Sequence, residues 1–313
     1  MNNSRIKNDP SFRRSIWCHA LCLAFLSAFQ WQCHAQSIPT FDGKKAFQEL
    51  VTQCDFGPRV PGTASHAKCR DYLVQKLRLY ADDVATQNFP LALGTQGTTT
   101  GTNIIANFQP EKGRRVLLCA HWDTRPWADK DPDPKNHRKP VLGANDGASG
   151  VAVLLEIARL LATHKTRVGV DIILFDGEDA GIYENETSWA RGSDAFVRRK
   201  DPNYRPLYGI LLDMIGDRDL NILQELYSLQ YARPLVERIW KKAAELGISE
   251  FIPQPGYAVI DDHLPFLRIG IPMVDLIDFD YPFWHTVQDT PDKCSPASLE
   301  KVGRLVTTLL FEE

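Results

Sequence analysis

The run Asp171-Ile172-Ile173-Leu174-Phe175-Asp176-Gly177-Glu178-Asp179-Ala180-Gly181 decides how the fold is read. Its unbroken apolar segment, Ile172 to Phe175, suits a strand covered on both faces, as in a parallel sheet. The strand then meets a glycine turn carrying two adjacent acids, Glu178 and Asp179. In open α/β sheets, ligands collect beyond the carboxyl ends of the strands. Adjacent residues on a tight turn point in different directions, so one acid can hold a metal while the other moves protons. Taken alone, such a pair is more often a solvated acidic turn. Further strand ends alter that balance.

Arg115 to Ala120 reads as a second apolar strand and ends in His121-Trp122-Asp123. Leu207 to Ile215 is a third, interrupted by Asp213; a lone acid in such a run is costly unless it is paired. Pro272 to Ile277 is the last core strand and leads to Trp284-His285-Thr286. Between them, the glycine-rich turn Leu142 to Gly150 opens a helix whose buried side is Val151, Leu154, Leu155, Ala158 and Leu161. Asp146 sits at that helix start, where free N–H groups favour an anion; an ordinary capping Asp is the bland alternative. His121, Asp146, Asp179, Asp213 and His285 are therefore candidate ligands, and imidazole with carboxylates suits zinc.

The remaining chain fits the same plan. Phe41 to Cys54 and the segment from a capping Ser65 to Tyr80 read as helices. Val84 to Leu91 and Gly101 to Phe108 read as a hairpin. Leu226 to Leu246 and Pro296 to Phe311 are amphipathic helices. The loop Thr124 to Gly143 alternates Asp129, Asp131 and Asp133 with other residues, but lacks the glycine and closing Glu of a calcium loop. It reads as a solvated, proline-stiffened surface loop. Strands alternating with helices predict one α/β domain over 36–313. Its form is a three-layer sandwich, a mixed and mainly parallel central sheet with helices on both faces.

The first 35 residues differ. A basic start (Arg5, Lys7, Arg13, Arg14) precedes 14 apolar-rich residues, Ile16 to Phe29, then Cys33-His34-Ala35. That pattern predicts a secretory signal cut before Gln36, and hence an exported protein, periplasmic or secreted; an uncleaved N-terminal anchor is the alternative. Removing the segment changes the net charge from −3 to −6. A mildly acidic chain without a basic patch is a poor nucleic-acid binder. Export would allow Cys54, Cys69, Cys119 and Cys294 to pair, although Cys119 lies in an apolar strand and reads as a buried free thiol.

The ordered set His-x-Asp at 121–123, Asn-Asp-Gly-Ala-Ser-Gly at 145–150, Phe-Asp-Gly-Glu-Asp at 175–179, Leu-Asp-Met-Ile-Gly at 212–216 and Trp-His-Thr at 284–286 is far more specific than any one of its members. It resembles the zinc exopeptidase superfamily of aminopeptidase-like α/β proteins over nearly the whole chain after the leader. With Asp261-Asp262-His263-Leu264-Pro265-Phe266 and the loop from Arg125 to Leu142, it is most similar to the glutaminyl cyclases, particularly bacterial ones. The resemblance implies one zinc per chain held by Asp146, Asp179 and His285. It further implies Glu178 as the proton shuttle, and Asp261 as the group that binds the departing nitrogen. Asp213 would be joined to both in a hydrogen-bond network. Trp284 would wall the glutamine chain; Trp189 is either a second wall or a plain core tryptophan. Animal cyclases carry a pocket His near the position of Asp275. The implied partners are peptides or proteins with N-terminal glutamine, with no nucleic acid, and no membrane unless the leader is retained.

The residues leave two alternatives open. A two-zinc aminopeptidase would add His121 and Asp213 as ligands, bridge the metals with Asp146, and use Glu178 to activate water. A peptide-binding module on the same fold would need none of these groups.

Overall fold

In the computed structural model, Met1, residues 38–94 and residues 97–313 are described. The predicted leader lies outside the described residues. The strands are β1 (Asp83–Ala92), β2 (Thr98–Phe108), β3 (Arg115–His121), β4 (Gly169–Phe175), β5 (Gly209–Asp213), β6 (Ile222–Gln224), β7 (Phe251–Pro255) and β8 (Met273–Ile277). The helices are α1 (Gly43–Asp55), α2 (Ala64–Arg78), α3 (Ala148–Thr163), α4 (Arg191–Arg199), α5 (Leu226–Glu245), α6 (Leu264–Arg268) and α7 (Pro296–Glu312). Six strands make one sheet in the order β1-β2-β4-β3-β5-β8. The β1–β2 and β2–β4 pairs are antiparallel, whereas β4, β3, β5 and β8 run parallel. This is the predicted mixed sheet, with β6 and β7 as a small extra pair.

Every residue of β4 and β5 is buried, as expected of central strands covered on both faces. Asp171 is tolerated inside β4 because Arg115, Asn107 and Tyr204 all donate to its carboxylate. Helix α3 packs on β3 and β5 with α1 and α7 beside it, while α4 and α6 pack together and α5 lies along β8. The α3–sheet approach is so close that a Cβ at Gly150 would collide with the Leu212 carbonyl oxygen. Helix α5 kinks at Ala232, two residues before Pro234, whose missing N–H breaks the ladder.

Two local expectations are corrected. Thr63, not Ser65, caps α2: its hydroxyl accepts the His66 N–H at 3.2 Å, which leaves Ser65 in the first turn. The Thr124–Gly143 loop is solvated only in part: Lys130, residues 132–135 and residues 138–140 are exposed, but its flanks are not. Thr124, Arg125, Ala128, Asp131 and Val141 are buried. Asp131 accepts the N–H groups of Asp133 and Val287 at 3.0 and 3.1 Å, and Lys130 N–H donates to the His285 carbonyl at 3.2 Å. The loop thus clasps the segment that carries His285. All four cysteines in the described residues are buried free thiols. No helix there is long and apolar enough to cross a membrane.

Arg59 shows how these loops are joined. It is fully buried, and its guanidinium donates to the carbonyls of Trp122, Leu142 and Gly143 at 3.1, 2.7 and 2.6 Å. Arg59→Met should strand three buried acceptors, each worth about 1–3 kcal/mol. The expected loss is at least about 3 kcal/mol, read as a lower urea midpoint at unchanged slope.

Candidate active site

Topology brings the five candidate ligands together. His121 and Asp213 are the last residues of β3 and β5, Asp179 follows β4, and His285 follows β8. All lie at the carboxyl ends of parallel strands. Asp146 reaches them from the turn before α3. It is not a helix cap, because Gly147 holds that position at φ 100° and makes no side-chain bond. The turn is fixed by buried Asp289, whose carboxylate accepts the N–H groups of Asn145 and Asp146 at 2.8 and 3.1 Å and the Tyr281 hydroxyl at 2.8 Å. The β4 turn is fixed in the same way. Asp123 accepts the N–H groups of Glu178 and Asp179, each at 3.2 Å. Arg125 donates to the Asp179 and Gly181 carbonyls at 3.1 and 3.2 Å and forks onto Asp129 at 2.8 and 2.6 Å. Met214 and His285 both sit in the left-handed region, at φ 47° and 54°. Non-glycine residues held there cluster at functional sites.

Asp146, Asp179 and His285 each place one donor atom within 4.8 Å of the others. His285 Nε2 is 3.0 Å from Asp179 Oδ1 and 3.5 Å from Asp146 Oδ2. All three are buried, and one oxygen of each Asp has no hydrogen-bond partner. Two buried carboxylates so placed are costly as anions, and a cation between them would offset that cost. Two oxygens and an imidazole beside an open pocket are the donor set of a catalytic zinc site, so the residues fit the metal. Burial and the nearby Arg125 push the His285 imidazole down to about 3, so it is neutral and ready to ligate at ordinary pH. Its Nδ1 is 2.8 Å from the Tyr183 hydroxyl, the outer partner such a ligand needs.

His121 belongs to a second cluster that shares Asp146. Its Nε2 is 3.1 Å from Asp146 Oδ1 and 3.2 Å from Asp213 Oδ1. Asp213 thus pairs with His121, and its charge helps to raise the Asp261 carboxyl. Burial first, then the Asp261 charge, raises the Glu178 carboxyl well above its usual range, with His121 opposing. Burial, Asp213 and Asp262 do the same to Asp261.

Behind Asp261 lies a third buried group. His263 Nε2 is 3.2 Å from Glu225 Oε2 and its Nδ1 is 3.8 Å from Asp275 Oδ2. The imidazole beside Asp275 thus comes from His263 on the neighbouring turn. Glu225 also caps α5 and accepts the Val259 N–H at 3.1 Å, which ties the pocket-lining segment to the helix.

These walls enclose a pocket of about 240 Å³ lined by Glu178, Asp261, Trp189, Trp284, Ile277 and Phe279, among others. Both tryptophans flank His285. The Trp189 ring lies parallel to the imidazole at 6.2 Å and Trp284 lies 4.0 Å away, so Trp189 is a wall and not a core residue. Arg125, Asp123, Asp289, Tyr183, His263 and Glu225 were not singled out in the sequence as site residues. Asp123 and His263 stood inside quoted motifs, but a buried Arg125 has the same letter as an exposed one.

A model of peptidase family M28 matches residues 103–310. The chain is 40 % identical to a solved glutaminyl cyclase of Bacteroides thetaiotaomicron bound to N-acetylhistamine, with TM-score 0.86 over 88 % of this chain and 100 % of that one. It is also 40 % identical to a solved leucine aminopeptidase precursor of the same species, with TM-score 0.86 over 88 % and 99 %. The glutaminyl-peptide cyclotransferase of Gloydius blomhoffii is 26 % identical over 295 residues, 81 % of this chain and 77 % of that protein. With the fold, the ligand geometry and these relatives in agreement, the chain belongs to peptidase family M28 and is similar, within it, to the glutaminyl cyclases.

Proposed function

We propose that this protein is a glutaminyl-peptide cyclotransferase that converts N-terminal glutamine to pyroglutamate and releases ammonia. The observation that carries the reading is a pocket sized for one residue, with Glu178 and Asp261 inside it and Trp189 and Trp284 as its walls. In this reaction the substrate's α-nitrogen bonds to its own side-chain amide carbon, and the bond from that carbon to the amide nitrogen breaks. No enzyme nucleophile is needed, and holding amine and amide together supplies much of the rate. The tryptophan walls fold the glutamine chain and exclude water. Glu178 takes a proton from the α-ammonium group and returns it to the leaving nitrogen, a role that suits a carboxyl raised by burial. Asp261 accepts a hydrogen bond from, or donates one to, the departing group. Asp146, Asp179 and His285 would hold one zinc, which when bound supplies Lewis-acid polarisation of the amide carbonyl.

The retained cluster of His121, Asp146 and Asp213 favours a second reading, a two-zinc aminopeptidase. The test incubates the zinc-loaded protein with a Gln-initiated dipeptide and follows ammonia and free amino acid. Ammonia with a loss of about 17 Da, the mass lost when the amine closes on the carbonyl, is the expected result. Released amino acid without ammonia would establish the peptidase, and metal analysis would then find two zincs instead of one. Export is part of this proposal and rests on the first 35 residues; a protein isolated from the envelope or medium that begins at Gln36 would support it, and a cytosolic protein starting at Met1 would reject it.

A further inference from the structure

Helix α2 reaches the turn that carries Glu178 through one side chain, His66. Its imidazole is buried, and Nε2 lies 3.0 Å from each carboxylate oxygen of Asp176. An ionised carboxylate only accepts, so Nε2 donates. The Trp122 ring stacks on the imidazole at 4.2 Å and 17°, and its Nε1 donates to the Thr102 carbonyl at 3.1 Å. The backbone N–H of His66 donates to the Thr63 hydroxyl that caps α2. His66 is thus held at its backbone, its ring face and its ring edge, although it is not among the residues that line the pocket.

Asp176 stands where β4 leaves the sheet. The antiparallel register of β2 and β4 ends with Ile104 opposite Leu174. Carried on, it would set Asn103 opposite Phe175 and Thr102 opposite Asp176. Instead the chain turns away at Gly177, φ 70°, towards Glu178. Side chains take over the ladder at that point. Asp176 Oδ2 accepts the Thr102 N–H at 2.6 Å, and Asn103 Oδ1 accepts the Asp176 N–H at 3.1 Å. Burial raises the Asp176 carboxyl, and His66 and the Thr102 N–H oppose it. Without the imidazole, Asp176 would be a buried carboxylate near Asp123 that has lost its charge partner, a costly arrangement that the chain relieves by moving. Glu178 follows two residues later, so a shift at Asp176 reaches it directly. Asp179, one residue further on, is tied separately by Arg125 at its carbonyl.

We propose that His66 is a positioning residue for the proton shuttle: through Asp176 it fixes the point at which β4 gives way to the turn carrying Glu178. The proposal rests on the cyclotransferase reading, and its test separates the two. His66→Phe keeps an aromatic ring against Trp122 but has no N–H for Asp176. His66→Gln puts an amide N–H where Nε2 lies. Ammonia release from a Gln-initiated dipeptide is measured per bound zinc, well below the melting temperature of each variant. In His66→Phe, kcat should fall roughly 10- to 100-fold, since misplacing a positioned group by about 1 Å costs on the order of a hundredfold. KM should stay within about threefold, because the pocket walls are untouched. His66→Gln should recover at least about a third of the original kcat, because the bond to Asp176 is restored. If His66→Phe yields no folded protein, His66→Asn, whose shorter amide stops short of Asp176, takes its place in the comparison. An unchanged kcat in the variant without the bond, whatever its melting temperature, would overturn the positioning role and leave the cyclotransferase reading intact. A His66→Gln variant no faster than the variant without the bond would also overturn it. No ammonia from the unaltered protein would reject the cyclotransferase reading, and this role of His66 with it.

Discussion

Glu178→Gln should lower kcat/KM for ammonia release about a thousandfold, within the 10²–10⁴ range of positioned acid–base groups. The substitution keeps shape and volume but cannot accept the α-ammonium proton. Zinc content should be unchanged, because the three proposed ligands are untouched. The melting temperature should not fall. Burial and the Asp261 charge already disfavour the Glu178 carboxylate, so a neutral amide relieves an unfavourable site. The loss should also shrink with pH. An α-amino group loses its proton unaided near 7.7–8.0, roughly its reference range, so above that pH the substrate arrives ready to attack. Glu178 is then no longer needed to deprotonate the ammonium group, only to pass to the leaving nitrogen the proton that the attacking nitrogen sheds on bonding. A variant that keeps more than a tenth of the activity at pH 7 (on the order of one decade rather than three), or whose deficit is flat from pH 7 to pH 9, would remove Glu178 from the shuttle role.

The parts of this site that were legible in the sequence are those where a strand's burial forces a pattern. β4 and β5 are covered on both faces, so their apolar runs and the acids that end them stand out at Phe175–Asp179 and Leu212–Asp213. The clasp around them was not legible, because its partners are distant in the chain and use common polar letters. Arg125 reads as a surface residue until the structure shows it fully buried against Asp129, Asp179 and Tyr183. Glu225 only precedes the predicted helix Leu226 to Leu246 in the sequence, yet it ties α5, Val259 and His263 together. β6 escaped because three residues are too few for a pattern to register, and β7 because Phe251–Pro255 carries two prolines and buries only Phe251. Thr63 and Ser65 are chemically alike, and only the backbone angle at Thr63 decides which of them caps.

Chelating the zinc should abolish activity and, at pH 8, lower the melting temperature by roughly 10 °C. Free metal at a thousandfold its Kd stabilises by about 4 kcal/mol, and each kcal/mol is worth about 2–4 °C in a domain of this size. The gap between loaded and metal-free protein should narrow as the pH falls. In the metal-free protein, burial holds the Asp179 carboxyl up to about 7, and burial likewise raises Asp262, Asp278 and Asp289 to about 7. A carboxyl raised above its unfolded value near 3.9 contributes stability that is complete below that value. That contribution is lost as pH climbs through the folded value. His285 has the opposite sign: burial lowers it to about 3, so it costs stability below the unfolded value near 6.5. One imidazole opposes several acids, and above pH 6.5 its effect ends, so the metal-free protein should weaken from pH 5 to pH 8. Zinc binding reverses that trend, since it requires Asp146 and Asp179 as carboxylates and tightens as their protons leave. Asp179→Asn should make the metal-free profile shallower, since Asp262, Asp278 and Asp289 still titrate, and should lose the metal. Melting curves of both forms at pH 5.5 and pH 8 test this directly. A gap that stays constant or widens on acidification would mean that Asp179 is not a ligand and that its burial is matched by some other cation.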